Sequence, residues 1–151
     1  MLRSKFNASL KEAMRAKDQQ ALSTIRLIMA ALKDRDIQAR TSGQPEGIGD
    51  QETLEMLQKM VKQRRESIAL YEKGGREDLV AKEQREIEVI ERFLPKALGQ
   101  EETLAAVEKA IEETGAASLR DMGRVMALLK ERHPGQMDFA QASQLVKQRL
   151  S

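Results

Sequence analysis

Residues 50–95 read DQETLEMLQKMVKQRRESIALYEKGGREDLVAKEQREIEVIERFLP, and this stretch decides the fold. Leu54, Leu57, Val61, Ile68 and Tyr71 lie on a heptad-like seam, with Arg64 at the one missing position. That spacing places them on one face of a helix over about residues 51–73, capped by Asp50. Gly74-Gly75 ends the helix, because glycine adopts a left-handed cap without a Cβ penalty. The next helix, over residues 76–94, presents Leu79, Ile87, Ile90 and Leu94. Pro95 stops it, since the residue before a proline is pushed out of helical geometry. Two long helices joined by Gly-Gly most simply pack antiparallel, so a helical hairpin or bundle is expected.

Upstream, Leu2, Phe6, Leu10 and Met14 recur every four residues and predict a short helix over residues 2–16. Asp18 is placed to cap a second helix reaching about Arg40, with Leu22, Ile25, Met29 and Leu32 inward and Ala21 and Ile28 widening the stripe. Residues 41–49 (TSGQPEGIG) read as an exposed, flexible connection, with a binding loop as the rarer alternative. Downstream, three short helices are expected. One covers about residues 101–114 (Leu104, Val107, Ala110, Ile111) and ends at Gly115. Another opens at Ser118, with Asp121 in a capping-box position, and carries Met122, Val125, Met126 and Leu129. The last is capped by Asp138 and turns Phe139, Ala142, Leu145, Val146 and Leu150 inward. No stretch alternates as a strand would. The fold expected is all-α: an N-terminal helical hairpin or bundle over residues 1–95, then a small three-helix domain over 96–151.

At 151 residues, the chain can bury about 70% of the surface its unfolded form exposes, so no disulfide or metal staple is required. The absence of cysteine excludes thiolate catalysis and Cys-ligated zinc, and fits a cytoplasmic location. No segment has the ~18 consecutive apolar residues of a membrane span, and the N-terminus lacks the apolar core of a signal peptide. The net charge of +2 does not by itself imply nucleic acid. Its distribution is uneven: residues 101–115 hold five acidic groups against one basic, and residues 116–151 hold six basic against three acidic.

No catalytic constellation is found. His133, the single histidine, sits in a His-Pro-Gly turn with no nucleophile elbow anywhere in the chain. One histidine and no cysteine leave only carboxylates for metal binding, and their spacing matches no calcium loop. Neither metal nor cofactor is expected. Glu83, Glu86, Glu88 and Glu91 interleave with Lys82, Arg85 and Arg92 and read as a solvated helix face. Lys59, Lys62 and Arg65 share a helix face and suit phosphate contacts, although a solvated face is the commoner meaning of such a cluster. Gly123, inside a helix, costs about 1 kcal/mol against alanine. Close helix packing is its expected reason, with close approach of an RNA backbone as the alternative.

Five segments, in order, carry a resemblance. They are Lys62-Gln63-Arg64-Arg65-Glu66-Ser67-Ile68, Gly74-Gly75-Arg76-Glu77-Asp78-Leu79, Glu88-Val89-Ile90-Glu91-Arg92-Phe93-Leu94-Pro95, Asp121-Met122-Gly123-Arg124-Val125-Met126 and Gln144-Leu145-Val146-Lys147. Together they resemble the GatB/YqeY family, specifically its stand-alone YqeY-like members, over essentially the whole chain. The resemblance implies a helical N-terminal domain and a three-helix domain similar to the C-terminal tail of the B subunit of the tRNA-dependent amidotransferase. In that enzyme the tail helps hold tRNA, while the chemistry lies elsewhere. By position, Gly123 falls at the glycine of the tail's helix motif, and Lys147 and Arg149 in its last helix. Arg120 and Arg124 add positive charge beside them. Residues 133–143 (HPGQMDFAQAS) depart from the common Lys/Gly-rich turn, so no RNA contact is carried onto that turn. The resemblance implies tRNA as a partner and a non-catalytic role. The alternatives are an accessory factor of amide transfer, with glutamine as nitrogen donor, and an adaptor for a protein of translation or tRNA charging. No oligomeric state is read from the sequence.

Overall fold

The computed structural model describes residues 1–151. It contains seven α-helices and no strand: α1 (Leu2–Arg15), α2 (Gln19–Thr41), α3 (Asp50–Lys73), α4 (Glu77–Glu91), α5 (Gln100–Thr114), α6 (Met122–Arg132) and α7 (Phe139–Leu150). A 3-10 turn, Leu119–Asp121, leads into α6. The chain divides into two compact units, Met1–Leu94 and Pro95–Ser151.

In the first unit, α3 packs chiefly on α4, α4 also on α2, and α2 on α1. Phe6, Ile25, Ile28, Leu57 and Ile90 are almost completely excluded from solvent. Phe6 of α1 meets Phe93, just beyond α4, edge to face with ring centroids 4.9 Å apart. The expected stripe on α1 holds only in part. Leu2 and Phe6 are buried, but Met14 is 54% exposed and Ala13 takes its place. Four-residue steps overshoot the 3.6-residue turn, so a stripe spaced by four drifts off the core face.

Local chemistry sets the helix ends. Asp18 caps α2, its carboxylate accepting from the Ala21 N–H at 3.1 Å. After α3, the Gly75 N–H donates to the Glu72 carbonyl and the Arg76 N–H to the Tyr71 carbonyl, with Gly75 at φ +69°. This is the paired closure that needs a left-handed residue. Two ends differ from expectation. Gly49, not Asp50, occupies the cap of α3, and Asp50 lies in the first turn with its Oδ1 3.4 Å from the Leu2 amide. Helix α4 stops at Glu91 rather than Leu94, because the Phe93 and Leu94 amides turn back to Ile90 and Glu91 in i→i+3 bonds that tighten the end.

The 41–49 connection is not a loose tether at its second half. Arg3 forks onto Asp36 with two bonds of 2.7 Å, and its Nη2 also donates to the Ile48 carbonyl at 2.8 Å. The Ile48 amide donates to Asp36 Oδ1 at 3.0 Å, and the Ile48 side chain is buried. The guanidinium, helped by the Ile48 amide, holds the Asp36 carboxyl below the usual carboxylate range. Gly47 stands against this lock at φ +86°, where a Cβ would fall 2.3 Å from Asp36 Oδ1. Gly43, at φ +94°, has nothing within 4 Å. Gly47→Ala is therefore expected to cost about 2–3 kcal/mol, against about 1 kcal/mol for Gly43→Ala, whose cost is backbone strain alone. Urea denaturation of the two variants checks the difference; equal costs would mean that the lock does not hold the loop.

In the second unit, α5, α6 and α7 pack on one another around Val107, Val125, Leu129, Ala142 and Val146. Ser118 and Asp121 form the capping box, and the Asp121 carboxylate takes the Ala117 amide at 2.9 Å. Asp138 caps α7 by accepting from Ala140 and Gln141.

Candidate nucleic-acid interface

The basic residues of α3 and of the second unit differ in what already binds them. On α3, Lys59 and Lys62 are exposed and make no ion pair. Arg65 is also exposed, with Nη2 3.7 Å from Glu91 Oε2. Arg64 behaves differently. Its Nε donates to Glu86 Oε2 at 3.0 Å and its Nη1 to the Met60 carbonyl at 3.1 Å, with both charged side chains about 85% covered. The charge that interrupts the hydrophobic seam is thus met across the hairpin. The carboxylate face of α4 is not wholly solvated, because Glu86 is turned onto Arg64 of α3.

Beside it, Glu83 has its carboxyl pushed up by burial, and by repulsion from Glu86. No group of three or more His, Asp or Glu residues could hold a metal ion.

In the second unit, three of the arginines serve the fold. Arg124 donates to Asp121 Oδ1 at 2.6 Å and to the Thr114 carbonyl at 3.3 Å. Arg149 pairs with Glu108 at 2.7 Å, and Arg132 with Glu113. The acidic α5 is in this way partly neutralised by the basic C-terminal segment, so the opposite-sign stretches do not remain separate faces. Asp121 has its carboxyl held below the ordinary range by the Ala117 amide, then by Arg124 and the Ser118 amide. Arg120 and Lys147 are exposed and have no ion pair.

Gly123 overturns its expected reading. The residue is exposed in the first turn of α6, and a Cβ there would meet nothing within 4 Å. Helix packing therefore does not explain it. Sequence spacing had no means of distinguishing these cases, because the partners Glu86, Glu91, Glu108 and Glu113 come from other helices.

The family described as Yqey-like protein matches residues 3–150 of the chain. The chain belongs to this YqeY-like family. Among its relatives is the protein named "Altered inheritance of mitochondria protein 41, mitochondrial" from Pyrenophora tritici-repentis, 36% identical over 134 residues, covering 85% of this chain and 71% of the relative. The protein of the same name from Eremothecium gossypii is 39% identical over 85 residues, covering 56% and 44%. That from Saccharomyces cerevisiae strain YJM789 is 33% identical over 90 residues, covering 59% and 46%. The chain thus spans less than half the length of these last two relatives. Within this YqeY-like chain, no helix is long and apolar enough to cross a membrane.

Proposed function

We propose that the protein is a non-catalytic tRNA- or RNA-associated helical module, located in the cytoplasm, and that the exposed start of α6 is part of its RNA contact. The observation that carries this reading is Gly123. A helical glycine with open space above it gives up stability without a packing return, and a bare backbone beside Arg120 suits close approach of a phosphate. The resemblance to an amidotransferase tail supports the same assignment. Lys59, Lys62 and Lys147, free of ion pairs, are the further cations able to meet phosphates without first breaking an internal bond. Arg65, Arg124 and Arg149 are weaker candidates, because each already has a carboxylate partner.

Gly123→Ala tests the reading through two measurements that should move in opposite directions. Stability should rise by up to about 1 kcal/mol, since the alanine meets no atom and lowers the entropy of the unfolded chain. Affinity for tRNA, measured by filter binding, should fall. A stabilised variant that binds tRNA as tightly as the parent removes Gly123 from the interface.

A further inference from the structure

Across residues 62–86 no residue is fully buried, and the Arg64–Glu86 pair is the most covered contact of this stretch. The buried residues of α3 all lie between Thr53 and Val61, and those of α4 begin at Ile87. The outer half of the hairpin is therefore thinly covered, with Ile68 its partly buried contact to the core. Along one side runs an open groove of about 610 Å³, lined on α3 by Arg65, Ile68, Ala69 and Glu72 and on α4 by Gln84, Ile87 and Glu88.

These four α3 residues stand at i, i+3, i+4 and i+7, which sets them in a single stripe. The stripe runs from a cation at one end to an anion at the other, with the half-buried Ile68 and the exposed Ala69 between them. Reversing its direction exchanges the charges, so it is complementary to itself. A two-fold axis passing between Ile68 and Ala69 would bring Arg65 opposite the second copy's Glu72, twice, with Ile68 against the second copy's Ala69. A parallel alignment would instead set Arg65 beside Arg65 and Glu72 beside Glu72, and like charges oppose it.

We propose that this stripe is a self-association surface whose occupant is a second copy of the chain, packed antiparallel on the outer half of α3. The internal contact of Arg65 does not stand in the way. Arg65 and Glu91 are 65% and 49% exposed at 3.7 Å, and a pair so open to water holds its guanidinium weakly.

Sedimentation equilibrium of the nuclease-treated full chain, from about 1 μM to about 500 μM, gives the test. A monomer–dimer equilibrium is expected. Arg65→Glu and Glu72→Arg, each creating two like-charge contacts across the axis, should each weaken it about tenfold or more. The double variant Arg65→Glu/Glu72→Arg restores both pairs with their signs exchanged and should return to within about threefold of the parent. Both sites are exposed, and circular dichroism checks that the variants fold. A single species of monomer mass at the highest concentration overturns the proposal. So does a double variant no tighter than the single ones, since loss of the Arg65–Glu91 contact alone cannot be repaired from Glu72.

Discussion

Phe6→Ala should lower the unfolding free energy of the Met1–Leu94 unit by about 3–5 kcal/mol, a larger loss than substitution of Gly47 or Glu86 should give. Phe6 is 1% exposed, and its ring is the main apolar group that α1 contributes to the core. Truncation removes that buried area, leaves a cavity in the core that Phe6 shares with Ile25 and Ile28, and abolishes the edge-to-face contact with Phe93. Because α1 has otherwise only Leu2 and Ala13 buried, the helix should detach or fray rather than collapse inward. Urea denaturation followed by circular dichroism measures the change. If the alanine variant does not fold, Phe6→Leu supplies the same test at smaller amplitude, about 1–1.5 kcal/mol. A loss below about 1 kcal/mol for the alanine variant would mean that α1 is not a structural part of the core.

Glu86→Ala should cost about 1–2 kcal/mol, because it removes the hydrogen-bonded partner of the largely covered Arg64 guanidinium and leaves it the Met60 carbonyl and the nearby Glu83 charge. Removing both charges reverses the expectation. Arg64→Met with Glu86→Leu completes the hydrophobic seam and should lie within about 1 kcal/mol of the parent or above it. Arg76 and Asp78 form an ion pair that is mostly exposed on both sides, so Asp78→Ala, which loses that pair and a first-turn carboxylate, is the control and should move the denaturation midpoint far less than Glu86→Ala. If Glu86→Ala moves it as little as that control, the pair does not join α3 to α4.

The helices were legible in the sequence because their signals are local. Asp18, Asp138, Gly75 and Gly115 stop or start helices through bonds to residues two to five positions away. Burial was less legible. The seam drawn through Leu54, Ile68 and Tyr71 gave too little weight to Met56 and Met60, which are buried while those three are only partly covered. A straight α3 drifts away from a strict seven-residue repeat, and its outer half has no neighbour beyond α4 to cover it. The lock around Ile48 was illegible for a different reason: Arg3 and Asp36 are 33 positions apart, beyond any local spacing rule. The same limit governed the candidate interface. Composition shows where arginines are abundant, and the i,i+3 spacing offers Arg124 its partner Asp121, but only the packed helices show that Arg132 and Arg149 are engaged, while Lys59, Lys62, Arg120 and Lys147 are not. Gly123 stood out as a helical glycine, yet its meaning depended on the empty space above it.

Whether these free cations and the open start of α6 hold RNA is tested most directly by filter binding of tRNA to the full chain between about 20 mM and 200 mM monovalent salt. Measurable binding is expected at the low end, with a linear fall of log K against log salt. The slope should be about −2 to −4, for the few phosphates these side chains can neutralise. No retention of tRNA at the lowest salt would contradict an RNA-binding role.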